Sequence, residues 1–167
     1  MKLGILSDTH GHLSSQLYEI FKDVECIIHA GDIGNEDVLL DLEVIAPVVA
    51  VRGNVDFFPG AEKLPRKRIV EIEGLRFGVI HGDQLRRSDL VADLLRTFAK
   101  DRVDVIIFGH THRLFYRRQD SLWLINSGAA NPLIGKYSGT VVQLEISPMK
   151  EILIHPVRLH KENKSLN

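Results

Sequence analysis

Four short, largely apolar runs, residues 2–7, 24–30, 47–51 and 103–108, set the strongest limit on how this chain folds. Each is too short for a core helix and too uniformly apolar for a half-exposed strand. They therefore read as strands covered on both faces. Helical patterns lie between the first three. Residues 13–22 carry Leu13, Leu17, Ile20 and Phe21 on one side; residues 35–43 carry Val38, Leu39 and Leu42 inward, with Asn35 as the N-cap. Strand–helix–strand units of this kind build an α/β domain.

The pattern changes after residue 60. Residues 68–72 and 75–80, joined at Glu73-Gly74, read as a hairpin. Residues 88–100 read as a helix capped by Ser88, with Leu90, Val91, Leu94, Leu95 and Phe98 as its inward stripe. The stretches 114–119, 122–126, 139–146 and 151–157 read as antiparallel strands, so mixed sheets are expected. The 167 residues fit one domain, 1–160, followed by a polar tail, 161–167, expected to fray.

A net charge of −1 removes any global basic field, so neither extended nucleic-acid binding nor attraction to an anionic membrane is expected. The longest uncharged apolar run, residues 44–51, contains Pro47 and falls far short of the ~20 residues a spanning helix needs. Cys26 is the only cysteine and cannot form an internal disulfide. The apolar start is too short for a signal peptide, and a cytoplasmic location is the expectation.

The chemistry lies at the strand ends. Asp8 and His10 follow the first run, Asp32 the second and Asn54 the third. His81 follows the hairpin, and His110 and His112 follow run 103–108. Open α/β sheets place their ligand crevice at the carboxyl ends of strands, and five strands deliver metal-capable side chains there. Gly11, Gly31, Gly34, Gly53, Gly82 and Gly109 accompany them, as tight turns around a small charged centre require. Mixed imidazole and carboxylate donors suit manganese, iron, zinc or nickel rather than calcium. Seven donors exceed one tetrahedral ion but suit two ions sharing a bridge, for which the two oxygens of Asp32 are suited.

The blocks Asp8-Thr9-His10, Gly31-Asp32-Ile33-Gly34, Gly53-Asn54-Val55-Asp56, His81-Gly82 and Gly109-His110-Thr111-His112 resemble the calcineurin-like metallophosphoesterase family. The short chain without a cap domain is similar to its small YfcE-like phosphodiesterase branch. The resemblance implies a four-layer sandwich of two mixed β-sheets flanked by helices. It assigns one ion to Asp8, His10, Asp32 and His112, and the other to Asp32, Asn54, His81 and His110. It implies hydrolysis of a phosphoester P–O bond by a metal-bridging hydroxide, with the ions roughly 3.5–4 Å apart. It assigns the catalytic roles to Asp32, Asn54 and His81, and manganese leads the expected metals. The expected substrate is a small phosphodiester, and a homodimer or higher oligomer is the expected assembly. The alternatives are a phosphomonoesterase with a specific small substrate and a non-catalytic interaction module, as in the retromer subunit of this fold.

Two positions depart from the family. Val55 stands where many relatives carry a histidine that helps the leaving group depart. Asp83 stands where close relatives have a second histidine. For substrate contacts the candidates are Asn54, His12, Arg86 and Arg113, set against solvated positions as the default for the two arginines. His29 is a candidate support of the site or a satisfied strand histidine. Asn126-Ser127-Gly128 reads as structural.

Overall fold

The computed structural model describes residues 1–135 and 138–161. In chain order the elements begin β1 (Lys2–Leu6), α1 (Gln16–Ile20), β2 (Cys26–His29), α2 (Glu36–Ile45) and β3 (Val48–Ala50). Then follow β4 (Lys67–Ile72), β5 (Leu75–Ile80), α3 (Leu90–Phe98) and β6 (Val105–Phe108). The chain closes with β7 (Leu114–Gln119), β8 (Leu122–Ser127), β9 (Thr140–Ile146) and β10 (Ile152–Arg158). The strands form two five-stranded mixed sheets, ordered β10-β9-β1-β2-β3 and β4-β5-β6-β8-β7.

The sheets pack face to face through Leu3, Ile5, Ile28, Phe77, Val79, Val105, Ile107, Ile125 and Val142. Outside the first sheet, Leu17 and Phe21 and the α2 residues Val38 and Leu42 cover Leu6 and Ile27. Outside the second, Leu94 and Phe98 of α3 cover Ile80, Ile106 and Leu124. The result is the expected four-layer sandwich. Runs on β1, β2 and β6 are continuously apolar because both of their faces meet a buried layer.

Local chemistry explains the boundaries. Asn35 caps α2 as expected, its side chain accepting a hydrogen bond from Val38 N–H at 3.1 Å. The β4–β5 hairpin turns on Glu73 and Gly74, whose φ values of 51° and 67° are those of a tight primed turn. Two expectations need correction. The first helix covers only Gln16–Ile20: Leu17 and Tyr18 N–H bond three residues back, to Ser14 O and Ser15 O, and Phe21 N–H closes the helix on Leu17 O. Ser88 does not cap α3: it lies inside a 3-10 turn, Arg87–Asp89, and Asp89 stands at the helix start without a side-chain cap. β8 pairs antiparallel with β7, as expected, and parallel with β6, which makes the second sheet mixed.

The expected end of the domain is anchored at His160, whose N–H donates to Gln16 Oε1 at 3.1 Å. Residues 162–167 lie outside the described residues. Among the described residues no helix is long and apolar enough to cross a membrane.

Two strand glycines create space for aromatic rings. A Cβ on Gly4 would fall 2.9 Å from Phe21 Cε2, and one on Gly78 2.5 Å from Phe98 Cε1. Gly78→Ala should therefore destabilise by roughly 1–3 kcal/mol in denaturant titrations. Adding Phe98→Leu should recover part of that loss, a non-additivity that identifies the ring as the cause.

Candidate metal centre

The rim of the sandwich is built from loops that hydrogen-bond to one another. Asp8 N–H donates to Gly31 O at 3.0 Å, His10 N–H to Asp32 O at 3.0 Å and Gly11 N–H to Ile33 O at 2.7 Å. This ladder ties the loop after β1 to the loop after β2. Asp8, His10, Asp32, His110 and His112 all adopt left-handed backbone, with φ between 47° and 64°. L residues rarely occupy this region, and functional sites are where such strain collects. Gly53 and Gly109 serve by close approach instead. A Cβ on Gly53 would sit 2.1 Å from Asp32 Oδ1, and one on Gly109 2.9 Å from Asp8 Oδ2.

Two clusters of donor atoms result. Asp8, His10, Asp32 and His112 form one, and Asp32, His81 and His110 the other; within each, the donor atoms lie within 4.8 Å of one another. Asp32 belongs to both. Each cluster also draws on both sheets, since the aspartates and His10 follow β1 and β2 while His81, His110 and His112 follow β5 and β6.

The two carboxylates are divided in the same way. Asp8 Oδ2 accepts from Ser7 Oγ at 2.5 Å and from His110 N–H at 3.1 Å, while Oδ1 faces His112 Nε2 at 3.1 Å. Asp32 Oδ1 accepts from Val55 N–H at 3.1 Å, while Oδ2 faces His81 Nε2 at 3.2 Å and His10 Nε2 at 3.8 Å. His81 Nδ1–H donates to Ala30 O at 2.8 Å, which directs the Nε2 lone pair toward the cluster.

Among the described residues, Asp8 Oδ1, Asn54 Oδ1 and His81 Nε2 are buried without a hydrogen-bond partner. Buried polar atoms are ordinarily paired, so three orphaned ligand atoms, one of them on the Asp8 carboxylate itself, fit a bound cation. Asn54 stands between Gly53 and Val55, both of which approach Asp32 closely.

The titration of these groups follows from their neighbours. Burial opposes the charged form of His81, but Asp32, Asp8 and the Ala30 carbonyl outweigh it and raise its pKa. The Asp8 carboxylate facing its Nε2 raises that of His112. Burial lowers that of His110, assisted by the positive fields of His81 and Arg87. For Asp32, burial acts upward, yet His81, Val55 N–H and His10 bring the net shift downward.

Several supports carry no metal-type signature in the sequence. Asp56 is fully buried, and its two oxygens accept from Gly34 N–H at 2.9 Å and Gly53 N–H at 2.7 Å, clamping the second loop to the third. Asn131 Nδ2 donates to Thr9 O at 3.1 Å. Asn126 Nδ2 donates to Gly109 O at 2.8 Å and its Oδ1 accepts from Gly128 N–H at 2.8 Å, in keeping with a structural role. His29 accepts at Nδ1 from Gly31 N–H (3.2 Å) and so donates from Nε2 to Thr9 Oγ1 (3.0 Å), which passes its own proton to Ile33 O (2.8 Å). It is both a satisfied strand histidine and a tie between the first two loops.

A model of the calcineurin-like phosphoesterase superfamily domain matches residues 1–149. The chain belongs to this superfamily. It is 41% identical over 135 residues to a probable metallophosphoesterase of Methanothermobacter thermautotrophicus, covering 77% of each chain. It is 34% identical over 144 residues to a phosphodiesterase of Methanocaldococcus jannaschii, covering 77% of this chain and 83% of that one. Among solved structures, Vps29 of Entamoeba histolytica with bound zinc superposes with a TM-score of 0.71 at 22% identity, over 95% of this chain and 99% of that one. That last likeness concerns the fold.

Within this superfamily scaffold the remaining candidates are dispersed. His12 is half-buried beside the first loop. Arg86 is engaged by Asp93 at 3.0 Å and Asp89 at 3.2 Å. Arg113 lines a separate hollow with Leu114, Thr140 and Arg158. Asp83 pairs with Arg66 at 3.2 Å.

Burial lowers the His29 pKa from 6.5 to about 4. Between those values the unfolded chain binds a proton that the folded chain refuses. Stability should therefore be complete above pH 6.5 and fall as pH drops toward 4, by up to about 3 kcal/mol. Denaturant titrations of chelated protein at pH 7 and pH 5 should show a smaller drop in His29→Gln than in the unmodified chain.

Proposed function

We propose that this protein is a phosphodiesterase that hydrolyses the P–O bond of a small phosphodiester using two divalent transition-metal ions, manganese foremost. The observation that carries this reading is the convergence of six imidazole and carboxylate side chains from four strands at one rim, with Asp8, His81 and the neighbouring Asn54 each holding a buried and unpartnered ligand atom. The phosphodiesterase relative at 34% identity supports the same chemistry. Asp8, His10, Asp32 and His112 would hold one ion; Asp32, Asn54, His81 and His110 the other. Bound ions supply Lewis-acid polarisation of the phosphoryl oxygens and compensate charge that builds on them.

The chain's own residues set the rest. Asp32 keeps one oxygen on the Val55 N–H, which fixes the direction in which the other is presented. His81 is held in one tautomer by Ala30 O, so it offers a lone pair rather than a proton. Asn54 contributes an amide group to the phosphate as well as its carbonyl oxygen to the cluster. Val55 is exposed at the rim and has no proton to give a departing alkoxide. Esters with good leaving groups are the preferred substrates on this account.

A non-catalytic interaction module is the rival, and its support is the fold shared with Vps29. Retention of a full donor set, with its desolvated carboxylates, favours the enzyme.

The deciding assay uses chelated protein reloaded with manganese or nickel. Bis(4-nitrophenyl) phosphate should be hydrolysed, and Asp32→Ala should lower kcat/KM by more than about 100-fold. Val55→His should accelerate hydrolysis of an ester with an alkyl leaving group by at least about tenfold. No turnover of either the diester or 4-nitrophenyl phosphate with any metal would transfer the case to the interaction module.

A further inference from the structure

Among the described residues Phe57 is the most exposed aromatic side chain, at 78%, and it stands on the loop that reaches Asp32. Its exposure is not that of a loose segment. Asp56 before it is fully buried as the clamp on Gly34 and Gly53. Phe58 after it packs against the apolar cluster that contains Leu17, Val38 and Leu42, and its carbonyl accepts from Ala61 N–H at 3.0 Å. The ring between them is thus presented to solvent by a loop anchored on both sides.

Arg52 braces that ring. Its N–H donates to Pro65 O at 2.9 Å and its Nε to Asp56 O at 3.1 Å. Its guanidinium carbon lies 5.7 Å from the Phe57 ring centroid, within the range of a cation–π contact. The cation covers one face of the ring and leaves the other open to a ligand.

Chain connectivity sets the ring beside the candidate centre. Val55 N–H donates to Asp32 Oδ1 at 3.1 Å, and Phe57 follows two residues later, so its Cα lies within about 7 Å of that of Val55. Val55 is itself 39% exposed. The two side chains that flank buried Asp56 therefore both reach solvent, as an apolar margin to a centre of buried carboxylates. Single exposed apolar residues are ordinary. One that is held by an anchored loop, braced on one face and set at such a margin is placed for a substrate substituent that is planar and apolar.

We infer that Phe57, braced by Arg52, is a specificity-determining platform on which a nucleobase of the phosphodiester stacks, which makes nucleoside esters the preferred substrate class. Stacking of a base on an aromatic side chain tolerates any base, since each has a π face, so the platform selects for an aromatic group and not for one sequence letter. The choice of substrate rests on the phosphodiesterase reading; the stacking surface itself does not.

Two measurements separate those statements. In the first, zinc-loaded Phe57→Trp protein is titrated with thymidine 5′-monophosphate and with methyl phosphate while its fluorescence is followed. Trp123, the chain's only tryptophan, lies at the end of β8 away from the rim, so the unmodified protein supplies the background. Saturable quenching by the nucleotide alone is expected, and only in the variant. No quenching, or equal quenching by both ligands, overturns the platform. In the second, manganese-loaded protein is given the 4-nitrophenyl ester of thymidine 5′-phosphate and methyl 4-nitrophenyl phosphate, which share a leaving group. The nucleoside ester should show a KM lower by about tenfold. Phe57→Ala should bring the KM ratio close to one and Phe57→Leu should narrow it, whereas Phe57→Tyr, and Tyr116→Ala on β7, should retain it. A ratio that survives Phe57→Ala overturns the link to the substrate. A dimer of the unmodified chain that Phe57→Ala dissociates in sedimentation assigns the ring to a contact between copies and overturns the platform. Hydrolysis of neither ester overturns the phosphodiesterase reading, and the quenching titration then decides the platform alone.

Discussion

Two carboxylates, Asp8 and Asp32, are held out of water at the ends of adjacent parallel strands, and the architecture of the rim follows from that burden. Burying a carboxylate is costly unless it is hydrogen-bonded and paired. Each aspartate meets the requirement by splitting its oxygens. One is tied to the protein, through Ser7 and His110 N–H or through Val55 N–H, and the other is turned toward imidazoles. The tied oxygen fixes direction. The free one is what makes the arrangement useful.

That direction is maintained at a cost in the backbone. Five non-glycine residues of the clusters sit in the left-handed region, each at an expense of order 1 kcal/mol. Such conformations persist only where neighbours over-determine them. Here the ladder from Asp8 to Ile33, the Asp56 clamp on Gly34 and Gly53, and the His29–Thr9 relay supply the constraint. The close approach of Gly53 to Asp32 shows how little slack remains.

Much of this was legible in the sequence because it is local. Apolar runs marked strands buried on both faces, and donor residues immediately after them marked the rim, so the positions of Asp8, Asp32, His81 and His110 at strand ends followed from spacing alone. The Asn35 cap and the Glu73-Gly74 turn are likewise decided within four residues. What escaped depends on partners distant in the chain. Asp56 looks like any loop aspartate until Gly34, 22 residues away, donates to it. Ser88 had the chemistry of a cap but lost the position, because the acidic residues Asp89 and Asp93 are held by Arg86 and Arg96 and the chain tightens into a 3-10 turn before the helix.

Membership of each donor cluster is divided between the two sheets, and this has a mechanical consequence. A cation seated in either cluster would act as a rivet across the seam of the sandwich, joining layers that otherwise meet through apolar side chains and a few hydrogen bonds such as that from His81 to Ala30 O. Any sliding of one layer past the other would register first as a misfit at the rivets, so the centre doubles as the most sensitive gauge of how tightly the molecule is closed.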